Sequence, residues 1–284
     1  MKIDSATSLY AVIGHPVGHS LSPVMHNFLF QKHKINAVYL AFDIYPNDLR
    51  SFFHTMRFLP IVGCNITLPH KTNALRYLDK VDKTAQDISA VNTVVNKNGK
   101  LIGYNTDIYG IQMVLNTLKV DISKTTFLVL GAGGASRAVL YCLAKNNACR
   151  IYLANRTYSR ALNLKNLITR SFPKLEIRTS PLNESYLKNI ASEVDCIINA
   201  TSLGIKAQDP SPIPYEFLRR RHKIFDLTYN PDGSALIRFS HKKGCRAIDG
   251  LPMLVWQGLK AFNIWTNIEP EFSFVYRKLK TELK

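Results

Sequence analysis

Short apolar runs alternate with helical patterns along almost the whole chain. Residues 9–13 form one such run, closed by Gly14; an apolar stretch of that length bounded by a turn residue reads as a buried strand. Ser22-Pro23 follows. Ser suits a helix N-cap and Pro the first helical turn, so a helix is predicted from there. Residues 38–42 are a second strand, and Pro46 opens another helix with Leu49, Phe52, Phe53 and Met56 on one face. Residues 61–66 and 91–95 read as strands, and Asn98-Gly99 as a hairpin turn into Leu101-Ile102. Up to about residue 106 the pattern predicts an α/β region with a mixed, mostly parallel sheet.

A helical pattern over residues 108–118 leads into a second series. Residues 126–130 are a strand, followed by a glycine-rich turn and a helix over 135–145. A strand over 151–154, a helix over 159–171 and buried strands over 196–199 and 224–227 complete it. That βαβαβ rhythm predicts a doubly wound sheet of parallel strands with helices on both faces. Residues 251–284 are helical again. The expected division is a first domain over 1–106, a second over 107–245, and a helical segment over 246–284 returning to the first.

Composition adds a charge problem. The 284 residues carry 37 Lys and Arg against 20 Asp and Glu, a net +17. A surplus of that size suggests nucleic acid, an anionic membrane or an anionic small molecule. Residues 111–250 hold 21 basic and 10 acidic side chains, so the surplus leans toward the middle of the chain. The densest run, Arg219-Arg220-Arg221-His222-Lys223, has no interleaved aromatics and reads as solvated surface. No nucleic-acid-binding signature accompanies it, and no apolar run is long enough to span a membrane. The first seven residues lack the apolar core of a secretory leader. Five scattered cysteines, none in a CxxC pair, read as reduced thiols of a cytoplasmic protein with no metal site.

Candidate chemistry clusters at the strand ends. FLVLGAGGASR over 127–137 is a strand running into a tight turn that opens a helix. Gly131 makes the turn, Gly133 admits a pyrophosphate, and the helix N-terminus offers free N–H groups to it. Ser136 replaces the third glycine of the dinucleotide fingerprint. After the next strand the sequence reads LANRTYSR over 153–160. An acid there would bind the ribose hydroxyls of NAD; Arg156 and Arg160, flanked by Asn155 and Thr157, suit the 2′-phosphate of NADP instead. In the first region, GHPVGHSLSP (14–23), NITLPHK (65–71), AVNT (90–93) and GYNTD (103–107) are polar clusters. Strand alternation aims Asn65 and Thr67 to one side, with Lys71 beyond them. Taken singly, Ser22 and Asp107 read as helix caps and Lys71 as a surface charge.

Together with INATSLG (198–204), FDLTYNP (225–231) and DGLPMLVWQG (249–258), these segments resemble the shikimate dehydrogenase family. They cover nearly the whole chain in the family's order. The resemblance implies a substrate domain and a Rossmann-type NADP-binding domain with a cleft between them. It implies NADP-dependent reduction of 3-dehydroshikimate to shikimate, with Lys71 and Asp107 as the catalytic pair. Ser20 and Ser22 would bind the substrate carboxylate, with Tyr229 nearby. Asn65, Thr67, Asn92, Asp107 and Gln257 would hold the ring hydroxyls. Gly131, Ala132, Gly133, Gly134, Ala135, Asn155, Arg156, Thr157, Arg160, Thr201, Leu227 and Gly250 would line the cofactor. A monomer or homodimer is expected. Ser89, Pro252 and Ile205 depart from the commonest family pattern. An NAD-using quinate/shikimate dehydrogenase is the alternative, and it predicts an acid where Asn155-Arg156 stands.

Overall fold

The computed structural model describes residues 3–283. Met1 and Lys2, in the segment read as leaderless, and Lys284, in the helical tail, lie outside them. The chain forms two compact units, one reaching to Asp107 and including Val255–Glu282, the other comprising Ile108–Leu254.

The first unit opens with β1 (Ser8–Gly14), α1 (Ser22–Lys32), β2 (Ala37–Asp43), α2 (Leu49–Met56) and β3 (Ile61–Ile66). It continues with β4 (Lys80–Val81), α3 (Lys83–Asp87), β5 (Thr93–Lys97) and β6 (Lys100–Tyr104). The strand order is β2-β1-β3-β5-β6-β4. β1 runs parallel to β2 and β3, whereas β5 runs antiparallel to β3 and β6. Pairing of Asn65 with Thr93, and of Thr93 with Tyr104, therefore gathers the ends of β3 and β6 and the start of β5 at one sheet edge. One face packs Ile13, Phe53, Met56, Ile61, Val94 and Leu101. Each such side chain contributes about 1.5–3 kcal/mol on burial.

In the second unit α4 (Asp107–Thr117) precedes β7 (Thr126–Leu130), α5 (Gly134–Lys145), β8 (Arg150–Asn155), α6 (Tyr158–Ser171) and β9 (Glu176–Pro181). Then come α7 (Glu184–Ile190), β10 (Cys196–Asn199), β11 (Lys223–Asp226), α8 (Ala235–Lys242) and β12 (Arg246–Ile248). The sheet order is β12-β11-β10-β7-β8-β9, and every pairing is parallel. That is the doubly wound order, in which the chain reverses direction across the sheet between β7 and β10; ligands of such sheets bind beyond the strand C-termini there.

α9 (Leu251–Thr266) and α10 (Phe272–Glu282) complete the chain. From Val255 onward they belong to the first unit. There Trp265 and Phe262 of α9 join Tyr10, Phe30 and Tyr39 in an aromatic cluster around the His26 ring.

Four expectations change. Residues 246–254 stay with the second unit, because Arg246–Ile248 pairs with β11 as its sixth strand; Asp107 belongs to the first unit. Leu21, not Ser22, is the N-cap residue of α1, and the Ser22 N–H is accepted by Ser20 Oγ at 3.2 Å. β5 starts at Thr93, since the Val91 N–H turns away to the Lys71 carbonyl. Finally, the basic run is exposed at Arg219, Arg220 and Arg221, as a solvated run should be, but it is also tied to the main chain and buries His222. Arg221 donates to the Ala191 and Ser192 carbonyls just past α7, at 3.2 and 2.7 Å. Arg219 donates to the Glu216 and Leu218 carbonyls, Lys223 donates to that of Lys119, and His222 is buried. These cations satisfy main-chain acceptors that would otherwise lack partners.

Candidate active site

The place where β3 and β6 end and β5 begins carries a connected polar group. Lys71 lies in the turn after β3, and Asp107 is the first residue of α4. Lys71 Nζ donates to Asp107 Oδ2 at 2.6 Å. The pair is largely buried, with side-chain exposures of 15% and 5%. The other carboxylate oxygen, Oδ1, accepts from Asn92 Nδ2 at 2.8 Å. Asn92 is itself held by Thr106, whose N–H donates to Asn92 Oδ1 at 2.7 Å. Gln257 Oε1, on α9, accepts from Asn92 Nδ2 at 3.3 Å. A buried amine and carboxylate in contact satisfy one another's hydrogen bonding and fix one another's position. Both oxygens of Asp107 are thus engaged, whereas Lys71 has no second protein acceptor among the described residues. Its remaining N–H groups are available to an oxygen presented from outside.

Asn65, on β3, is the next member. Its Nδ2 donates to the Asn92 carbonyl at 3.2 Å and to Thr93 Oγ1 at 3.1 Å. Its Oδ1 accepts from the Tyr39 hydroxyl at 2.7 Å. Thr67 is half-buried beyond the end of β3, with its N–H on the Ile13 carbonyl. Ser20 and Ser22 stand together at the start of α1. Lys71, Asp107, Asn92, Gln257 and Asn65 form one network, and Ser20, Ser22 and Thr67 occupy loops of the same unit. Tyr229 lies in the second unit, after β11. Ser89, in the turn before Ala90, has φ +51°, a left-handed conformation that glycine adopts without strain.

Tyr39, Thr93 and Thr106 were not singled out from sequence. Thr106 sits inside a motif that drew attention only to Asp107. Tyr39 sits in an apolar strand with no local polar signal.

At the C-terminal end of β7, Gly131 has φ +100°. A Cβ there would lie 2.8 Å from the Ala200 carbonyl oxygen and 3.1 Å from Thr201. Only glycine permits the turn to pass so close to the loop after β10. Gly133, the N-cap of α5, caps no N–H with a side chain, and nothing lies within 4 Å of the place a Cβ would take. With Ala132, Gly134 and Ala135 this leaves open room before first-turn N–H groups, the geometry a pyrophosphate needs. After β8, Asn155 Nδ2 donates to the Thr157 carbonyl at 2.8 Å. Arg156 and Arg160 are exposed on either side of the start of α6. Among the described residues no carboxylate pairs with either guanidinium, so both are free to meet a dianion.

Thr201 Oγ1 donates to Asn199 Oδ1 at 2.7 Å, and Asn199 Nδ2 donates to Asp226 Oδ1 at 2.9 Å. Asp226 also accepts from Thr228 and Ser234. Burial pushes its carboxyl pKa up, and those donors oppose the shift. The network fixes the loops carrying Thr201 and Leu227. Gly250 packs against one of them: a Cβ on it would fall 2.1 Å from the Leu227 carbonyl oxygen. Its identity therefore has a packing cause apart from any ligand. Ile205 is exposed, and Pro252 sits in the first turn of α9, as its fixed φ allows.

Comparison with known proteins follows the same division. Residues 12–94 match the shikimate dehydrogenase substrate binding domain, 113–207 the shikimate/quinate 5-dehydrogenase family, and 250–280 the shikimate 5′-dehydrogenase C-terminal domain. Shikimate dehydrogenase (NADP(+)) of Aquifex aeolicus is 42% identical over 278 residues, covering 98% of each chain. A crystal structure of the Aquifex aeolicus enzyme superposes with a TM-score of 0.89 at 41% identity, over 98% of this chain and 100% of that one. The Thermus thermophilus shikimate 5-dehydrogenase, solved in complex with NADP(H) and shikimate, gives 0.86 at 37% identity, over 97% and 100%. Identity at this level across both units, with the polar network and the glycine turn in place, makes this chain a member of the shikimate dehydrogenase family.

Proposed function

We propose that Lys71 and Asp107 are the catalytic pair with which this chain interconverts 3-dehydroshikimate and shikimate, using NADP. The observation that carries the assignment is the buried 2.6 Å contact between them, with the second Asp107 oxygen held by Asn92. The chemistry that NADPH supplies when bound is a hydride for the C3 carbonyl carbon. As negative charge builds on the carbonyl oxygen, a Lys71 N–H stabilises it and then donates its proton to that oxygen. Asp107 holds the Lys71 amine aimed at that oxygen. Asn65, Thr67, Asn92 and Gln257 hold ring hydroxyls, and the Ser20 and Ser22 hydroxyls and Tyr229 receive the carboxylate. The first turn of α5, from Gly131 to Ala135, takes the pyrophosphate. Asn155, Arg156, Thr157 and Arg160 take the 2′-phosphate, with Thr201, Leu227 and Gly250 against the rest of the cofactor.

Two unpaired arginines and the lack of an acid after β8 support NADP over NAD. Free thiols at all five cysteines suit a cytoplasmic setting. Among the described residues no helix is long and apolar enough to cross a membrane. The deciding experiment measures kcat/KM for shikimate and quinate, each with NADP+ and NAD+. The expected result is a preference for NADP+ with shikimate of at least about tenfold, the loss of one or more charge-assisted hydrogen bonds. Equal or better turnover of quinate with NAD+ would overturn it.

A further inference from the structure

Tyr39 is the residue the proposed reaction leaves without a task, although it touches the site from behind. It lies on the edge strand β2 and is fully buried. Its backbone faces no further strand. Asn27 of α1 takes that place, donating from Nδ2 to the Tyr39 carbonyl at 2.8 Å and accepting the Tyr39 N–H through Oδ1 at 2.8 Å. The preceding residue of α1, His26, stacks on the Tyr39 ring with centroids 4.5 Å apart. The backbone is therefore tied to α1 and one face of the ring is covered by His26, which holds the hydroxyl in place. That hydroxyl donates to Asn65 Oδ1 at 2.7 Å, with the Ser22 side chain as its other hydrogen-bonding neighbour.

Counting donors shows what this does to Asn65. Both Nδ2 hydrogens are engaged, one on the Asn92 carbonyl and one on Thr93 Oγ1. Oδ1 receives the Tyr39 proton and keeps one acceptor site. Thr93 Oγ1 is a hydroxyl and accommodates either orientation of an amide. The Tyr39 hydroxyl is the short, rigidly mounted partner of the amide oxygen. The Asn92 carbonyl can only accept, so it keeps Nδ2 on its side, and the Tyr39 hydroxyl, which burial keeps protonated, meets Oδ1 as donor.

We infer that Tyr39 is a positioning residue for the substrate: its hydroxyl, acting with the Asn92 carbonyl, pins Asn65 so that this amide presents an acceptor, and only an acceptor, to a substrate ring hydroxyl. The inference rests on the assignment of Asn65 to the shikimate site. It makes the pocket selective for a ligand that offers an O–H at that point, because a bare acceptor there would face an amide oxygen.

Tyr39→Phe removes one oxygen and keeps the stacked ring. KM for shikimate is expected to rise about five- to tenfold, the value of one neutral hydrogen bond. The turnover number kcat and KM for NADP+ are expected to stay within about twofold, since the interaction is made equally in ground and transition states. Combined with Asn65→Ala, Tyr39→Phe should add nothing to the KM of the Asn65→Ala single variant, because Tyr39 acts through that amide. Tyr39→Met, which also lacks the hydroxyl, repeats the measurement should the Phe variant not fold. An unchanged shikimate KM in a folded variant, or additive effects with Asn65→Ala, overturns the inference while leaving the dehydrogenase assignment intact. A wild-type protein that does not oxidise shikimate with NADP+ overturns both.

Discussion

The two units build their candidate sites in opposite ways. In the first, the functional groups are buried and hydrogen-bonded to one another before any ligand arrives. Asp107 has both oxygens engaged, and Asn92 and Asn65 link three strand ends. In the second, the groups are open: first-turn N–H groups of α5 without a side-chain cap, and two exposed arginines with no acid partner among the described residues. A buried network is costly unless every member is satisfied, and once satisfied it fixes geometry. An exposed cationic surface fixes little but attracts anions at a distance. The first arrangement suits a site where atoms must be placed for a reaction. The second suits a site that must grip a phosphate.

The largest effect is expected where the buried network meets the chemistry. Lys71→Ala should lower kcat by roughly 10²- to 10⁴-fold, the usual weight of a positioned acid. KM for shikimate should change far less, and cofactor affinity not at all. Steady-state kinetics with both ligands varied checks this. Unchanged kcat would remove Lys71 from the mechanism and reduce the first site to a binding pocket.

Acid gives the next effect, and here the units are alike. Each contains one histidine held neutral by its surroundings. His26 is fully buried in the aromatic cluster of the first unit, with its pKa pushed down to about 3. His222 of the second unit is pushed down to about 4, by burial first and then by Arg221 and Arg219. Both values lie below the unfolded 6.5, so the unfolded chain binds more protons. The stability is present in full above pH 6.5 and is lost as pH falls toward 4 and below. Each histidine then accounts for roughly 3 kcal/mol at pH 4, about a hundredfold in a folding constant. Thermal melts between pH 7 and 4 should show a falling Tm, and a smaller fall for His26→Phe. Identical slopes for wild type and variant would show that His26 does not govern the acid response of its unit.

Removing the cations of the second site comes third. Arg156→Ala with Arg160→Ala should raise KM for NADP+ between about 10- and 100-fold, the scale of hydrogen bonds to charged groups. NAD+ has no 2′-phosphate, and its KM should hold. Equal losses with both cofactors would mean the arginines support the fold of the turn instead of reading the phosphate.

Legibility from sequence followed the same division. β7 and β10 of the second unit are continuous apolar runs closed by Gly131 and Asn199, as strands buried on both faces must be, whereas β9 (EIRTSP) is mostly polar and half exposed and is absent from the expected strands. The glycine turn and the arginines are local, so the candidate cofactor site lies within one stretch of sequence. β4 and β12 could not be read. They are two and three residues long, and β12 opens with Arg246; only a neighbouring strand makes them strands. The Tyr39 to Asn65 contact spans 26 residues and joins a residue of apolar pattern to a polar motif. No periodicity carries such a link. The arginines of the run from Arg219 to Lys223 are exposed as expected, but its main-chain contacts were hidden for a related reason. Charge looks solvated until the carbonyls it caps, such as those of Ala191 and Ser192, are placed beside it.

Salt is the mildest probe of the contrast. Exposed charges are screened once the Debye length falls below their separation, from about 10 Å at 0.1 M to about 3 Å at 1 M. Arg156 and Arg160 are exposed, so if they grip the 2′-phosphate as proposed, that grip should weaken as salt rises. The proposed carboxylate partners, Ser20 and Ser22, are uncharged hydroxyls, and the Lys71–Asp107 pair is shielded by burial. Raising salt from about 0.05 to 0.5 M should therefore increase KM for NADP+ a few-fold and leave KM for shikimate nearly flat. The Arg156→Ala, Arg160→Ala double variant should lose most of that dependence. If the variant keeps it, the salt response belongs to the wider +17 surface and not to the two arginines. If shikimate responds as strongly as NADP+, the first site is more open to solvent charge than its buried network implies.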